Sequence, residues 1–479
     1  MRLARALAIA ASAFLAATDA RADDARAVDA LNAPGAVIKE ESKSWKPVFD
    51  AYVAMSPPPE VKGGLASTGI WPGMPEWAAV KAWASANPGM GAALLDARKS
   101  VAFAMPYGRG KVPQQFVDKG VFIGIGDGTA VCFTDVAYLK PLGTIQAWTV
   151  AEMYRLGEEK RFDEAFDLGI ACMRLLRQVA DQHLLAEKTA AMQGLGDMAS
   201  VQRDVLQTFL DAVPVETLER LARNGYPMIR AADAERLRRL DMPEGDRVLA
   251  LALIDQVFDA QGQPDPVKFA AAMAAFQARR EPMGTFGATR RWAEIANVHA
   301  SADATRAKLT NIYDDWWRRW RAGYYDKILD FPTVISKTNP VRSAMVLAVT
   351  ADLTKLFAMR QWINAELNGT SVAFGVAASY RKDGRWPPSI SATYSVPTLK
   401  RIDFDPWKNE IPRWSYELAG SPRTMDTAFG PLQVSGSIIY AIGADREDGI
   451  AKKASADGQT GDFVAWPALR AVSRGATTK

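Results

Sequence analysis

The chain has 479 residues, 48% of them hydrophobic, enough to bury more than one core and too apolar for a disordered protein. Its 58 Lys and Arg against 54 Asp and Glu leave a net charge of +4, which gives no electrostatic footing for nucleic acid or an anionic membrane. Its two Cys and two His do not fall in a zinc-type His/Cys spacing.

Residues 1–22 read as a secretory signal: Arg2 and Arg5, a largely apolar stretch of 12 at 6–17, then the small-x-small site Ala20-Arg21-Ala22. That stretch is shorter than the roughly 20 residues that cross a bilayer. The segment holds Arg2, Arg5 and Arg21 against Asp19, so the remainder carries +2. No Cys follows it for lipid attachment, and no later stretch is long and apolar enough to span. The expected location is periplasmic or secreted, with no transmembrane segment in the mature chain.

Residues 23–350 are expected to form a helical-hairpin domain. Its clearest unit is 144–182, where a helix ends near Gly157, a turn passes Lys160-Arg161-Phe162, and Asp163 is placed to cap the next helix. Phe166, Ile170 and Met173 mark one apolar side of that helix, and Leu168, Cys172, Leu175 and Val179 the next. The pair resembles a single tetratricopeptide-type hairpin, but no second copy recurs at a period of about 34, so irregular hairpins are expected. Further helices are expected at 215–223, 247–258, 267–280, 300–329 and 341–367. Cys132 and Cys172 can pair in an oxidising compartment, closing a loop of about 40 residues worth ~3–4 kcal/mol, or remain two buried thiols.

The body offers little chemistry. Gly124-Ile125-Gly126-Asp127-Gly128 reads as a tight turn, because no helix follows it as a dinucleotide fingerprint requires. His183 and His299 have no acid or Cys at ligand spacing, and no HExxH, CxxC, GxSxG or P-loop occurs. The adjacent acids Glu158-Glu159 and Asp314-Asp315 point in different directions on a helix, so the sequence gives no geometry for a glycosidase pair and leaves catalysis unsupported. Tryptophans are frequent, and helical spacing of Trp316 and Trp320 favours core packing over sugar stacking. The loop Trp71-Pro72-Gly73-Met74-Pro75 is the one aromatic site placed for a ligand.

From residue 351 on, a small α+β domain is expected: a long helix over 354–380, broken near Gly369, then a turn at Asp383-Gly384-Arg385-Trp386-Pro387-Pro388. Short strands follow at 414–418, 432–434 and 437–442. The order of motifs here, with Tyr380 closing the helix, Asp405-Pro406-Trp407, Tyr440-Ala441-Ile442-Gly443-Ala444-Asp445 and Gly461-Asp462-Phe463, resembles the globular head of major pseudopilins of type II secretion. That resemblance covers about a quarter of the chain and implies one helix packed on a small antiparallel sheet. It also implies calcium held in a loop by acids and carbonyls, here Asp445, Asp448, Asp457 and Asp462. Arg446 stands where the family has Gly, and Lys452-Lys453 lie inside the loop as alternative partners for the acids. The family's assembly helix is not present, so the head is expected as a module on another protein.

The fold expected is therefore mainly α, a tetratricopeptide-like hairpin body (23–350) followed by a pseudopilin-like α+β domain (351–479). The function expected is a non-enzymatic binding or scaffold protein at the cell envelope, with a protein partner and a link to secretion machinery. The rival is an envelope hydrolase or glycan-binding protein with a tryptophan-lined groove.

Overall fold

A computed structural model describes residues 25–126, 134–225, 242–280, 287–320, 322–323, 326–350, 353–393, 405–408 and 413–478. The protein is mainly helical, 58% helix, with a three-stranded antiparallel sheet near its C-terminus. Five helices open the described chain: α1 (Ala25–Ala36), α2 (Trp45–Ala54), α3 (Trp77–Ser85), α4 (Pro88–Ala97) and α5 (Gln114–Val117). Phe49 of α2 meets Phe103 and Tyr138 edge-on at 6.0 Å each, which knits this layer to the chain that enters the centre of the molecule. Two short strands, β1 (Gly124–Ile125) and β2 (Thr134–Asp135), pair antiparallel, while most of the turn between them lies outside the described residues.

The centre is the hairpin of α6 (Leu139–Glu158) and α7 (Phe162–Val179), with α8 (Leu185–Phe209) packed on both. The turn is closed by Lys160 at φ 61°, whose N–H donates to Gly157 O while that of Arg161 donates to Leu156 O. Asp163, expected as the cap, sits inside the first turn of α7, where its charge suits the helix start, and pairs with Arg220 at 2.7 Å. Every residue of the two expected apolar stripes is buried. A short α9 (Val215–Arg220) follows, with α10 (Glu244–Val257), α11 (Pro266–Arg280), α12 (Ala288–Ala296), α13 (Ala302–Trp320) and α14 (Ala344–Val349) forming a peripheral lobe.

The long α15 (Leu353–Asp383) runs unbroken through Gly369. The glycine serves approach instead: a Cβ there would stand 2.7 Å from both Ala465 and the Trp414 ring. On one side α15 packs along α8, and on the other it carries β5 (Phe463–Trp466) and β4 (Gly430–Ala441), the latter in a hairpin with β3 (Ser415–Thr427). Alternation along β4 sorts its side chains: Ile439 and Ala441 join the main core, while Ile438 and Tyr440 join a second small core with Met425, Val434, Ala451 and Val464. The sheet thus has α15 on one face and the loop between β4 and β5 on the other. The main core is continuous from Ala27 to Trp466, across the boundary expected near residue 350. The chain closes with α16 (Leu469–Ser473), whose Arg470 pairs with buried Asp204 of α8.

Candidate functional site

The β4–β5 loop is pinched at its neck. Gly443, at φ 75°, lies where a Cβ would come within 2.3 Å of Gly461 O, so only glycine fits. Beneath it Asp405 is buried and accepts from Trp407 N at 2.8 Å and Ile442 N at 2.9 Å, so the Asp405-Pro406-Trp407 turn anchors the end of β4. Tyr380 stacks on Trp386 at 4.2 Å and Trp386 leans on Trp466 at 6.1 Å, bringing the helix end, the turn and β5 together.

The four acids named from the sequence share this loop but differ in setting. Asp462 is buried; its Oδ2 accepts from Ala451 N at 2.7 Å, and its Oδ1 is buried with no hydrogen-bond partner. Burial pushes its carboxyl up to about 6, and the charges of Asp448 and Asp445 push the same way. Asp448 accepts from Tyr440 Oη at 3.1 Å and Ile450 N at 3.0 Å. Asp445 closes a turn on Glu447 N, and Asp457 one on Gln459 N while also accepting from Ser455 Oγ. Among the described residues no three His, Cys, Asp or Glu side chains gather as a metal-ligand group. Lys452 and Lys453 are exposed and, among the described residues, form no ion pair with these acids; the sheet uses their main chain, Asp426 N–H donating to Lys452 O. A hard cation here would have Asp462 as its buried anchor, with the uncommitted Oδ1 as the atom that fits it and Asp448, whose charge acts on Asp462 ahead of that of Asp445, as a second acid.

No known family model, curated protein or solved structure matches this chain.

A second cluster was not foreseen. Where α8 begins, buried Glu187 accepts from Tyr107 Oη at 2.7 Å, Tyr138 Oη at 2.8 Å and Leu184 N at 3.1 Å. Tyr107 Oη accepts in turn from His183 N, and Asp246 Oδ2 accepts from Leu185 N at 2.6 Å, tying the start of α10 to the start of α8. Burial drives Glu187 up to about 7 against the pull of its three donors, and Asp246 up to about 6. Sealed by its neighbours, this cluster holds segments together and leaves Glu187 no access to a substrate. The only sequence sign is Glu187 three residues after the N-cap Leu184, since its tyrosines lie 80 and 49 positions away.

Cys172 is fully buried beside Thr149, and burial pushes its thiol up to about 12, so it is an inert side chain of the α7 core. Cys132 lies outside the described residues, and their pairing with it. Trp83, Trp148, Trp316 and Trp320 are buried in the main core. Trp71 carries the Arg474 guanidinium at 5.4 Å over its ring, and Arg474 also donates to Thr68 O, so a side chain of the protein covers the face expected to take a ligand. A cleft of about 350 Å³ lies at the C-terminal end of α8, where Gln207 Nε2 donates to Thr477 O.

Proposed function

We propose that this is an exported, non-enzymatic binding or scaffold protein of the cell envelope, with a pseudopilin-like sheet module whose β4–β5 loop takes up calcium. Within this reading the α6–α7 pair is a tetratricopeptide-type hairpin in a contact-making body, and the partner is a protein, with secretion machinery as the analogy. The export half of the reading rests on residues 1–22 of the sequence. The observation that carries the module is the Asp462 carboxylate: one oxygen holds the loop's main chain, while the other is buried without a partner beside Asp448 and Asp445. A divalent cation balances such charge and supplies the missing contact. Of the tryptophans that would support a glycan groove, Trp83, Trp148, Trp316 and Trp320 are core residues and Trp71, Trp77, Trp292 and Trp317 are half-buried against that core, which favours packing over the rival.

The test is thermal unfolding of the full chain with calcium, with magnesium and with a chelator. Calcium at 100 times its dissociation constant adds about 2.7 kcal/mol to the folded state. The reading expects a calcium-specific rise in melting temperature, abolished by Asp462→Asn and preserved in Asp457→Asn. Identical melts under all three conditions would remove the metal from the reading.

A further inference from the structure

We propose that His299 is an acid-operated latch: its neutral ring holds α14 in the peripheral lobe, and a proton on Nε2 releases it. The two contacts of the ring fix which nitrogen donates and which accepts. Nδ1 lies 2.8 Å from Ala300 O, and a carbonyl only accepts, so Nδ1 carries the ring hydrogen. Nε2 lies 3.3 Å from Met345 N, whose hydrogen points to it, so Nε2 is the acceptor. Protonation at Nε2 places a donor against a donor.

The surroundings leave no easy escape. The ring is 7% exposed and lies 4.9 Å from the Phe269 ring and 6.0 Å from that of Phe258. Met345 is the second residue of α14, and its N–H is one of the four at a helix start that no helical carbonyl satisfies. The charged groups on the packed elements are committed elsewhere or face solvent: on α13 Asp303 pairs with Arg306, which also pairs with Asp255 of α10, and Asp246 of α10 accepts from Leu185 N. On α11, Asp265 accepts from Val267 N and Lys268 N, and Lys268 pairs with Asp265. Past α10, Asp259 accepts from Gln261 N and Gln263 N. Before α14, Arg342 is exposed; its N–H donates to Asn339 Oδ1 and its carbonyl accepts from Ala300 N. Both hydrogen-bond partners of the ring are main-chain groups, so no carboxylate among them balances an imidazolium.

Burial holds the ring's pKa below its usual value. The folded state therefore resists a proton that the unfolded chain accepts, and this contact's stability is lost as pH falls below about 6.5. Opening exposes Met345 and Val346, both fully buried at neutral pH, together with the Phe269 they share the lobe with. The α6–α8 core contains neither histidine contact and stays closed.

Hydrogen exchange on the full chain at about pH 7.5 and about pH 5, corrected for intrinsic rates, reads the latch directly. Amides of 344–349 should lose about tenfold more protection in acid than those of α6–α8. His299→Gln keeps one donor and one acceptor without titrating, so in that variant the loss should disappear. Should the variant fold poorly, the imidazole proton signals of the native chain suffice, because it has only two histidines. The His299 signal should then titrate together with the protection of 344–349. Protection unchanged between the two pH values, or lost equally in His299→Gln, overturns the proposal.

Discussion

At the scale of single residues, the acids and the histidine pull stability in opposite directions as pH changes. Glu187, held up to about 7, and Asp246, up to about 6, bind protons more tightly folded than unfolded. An unfolded carboxyl titrates near 4, so from about pH 4.5 to 7 the folded state carries the extra protons and loses stability as pH rises. Urea midpoints measured from about pH 5 to 8 should therefore fall toward neutrality, and Glu187→Gln should flatten the upper part of that slope. An unchanged slope in the variant would mean that Glu187 stays ionised throughout, held by its two tyrosines and Leu184 N. Such a residue is hard to recognise in a sequence. Tyr107 and Tyr138 look like ordinary core aromatics until the fold turns both hydroxyls onto one carboxylate.

At the scale of elements, close approach between α8 and α15 is set by glycine. A Cβ on Gly196 would lie 2.1 Å from the Trp362 ring, and Arg203 of α8 reaches Glu366 of α15 at 2.7 Å with both side chains buried. Gly196→Ala should cost about 1–3 kcal/mol through overpacking, despite the better helix propensity of Ala. Chemical denaturation measures it, and a neutral or stabilising result would mean the indole can swing away. Glu366→Gln should cost more, about 3–5 kcal/mol, because Arg203 would keep a buried charge without its counter-ion. The helices themselves were legible, since spacings of three and four along α7 mark the faces that are buried. Gly369 misled because a glycine that breaks a helix and one that admits a neighbouring strand look alike in sequence. β5 was seen only as a motif: its four residues are all buried, so no alternation announces a strand. The acids of the β4–β5 loop were legible as a cluster. That Asp462 alone is buried, with one oxygen uncommitted, depends on how the loop folds over the sheet.

At the scale of the whole molecule, α15 belongs to the body and to the sheet at once. A chain ending at residue 350 would lose the partner of α8's buried face, including the counter-ion of Arg203. Residues 25–350 expressed alone should bind an apolar dye strongly and melt without a sharp transition, whereas a cooperative melt close to that of the full chain would show the body to be self-sufficient. Composition and periodicity could indicate helices in the body and a sheet near the C-terminus, but neither carries information about which surfaces meet across 150 residues or more. The contact between Arg474 and Thr68 joins positions 406 apart, and that between Gln207 and Thr477 positions 270 apart. Closing so large a ring costs little more entropy than closing a moderate one, since the cost grows only with the logarithm of length. What it sets is timing. As the chain emerges from N- to C-terminus, the Thr68 turn and the end of α8 wait for Arg474 and Thr477 before these contacts can close.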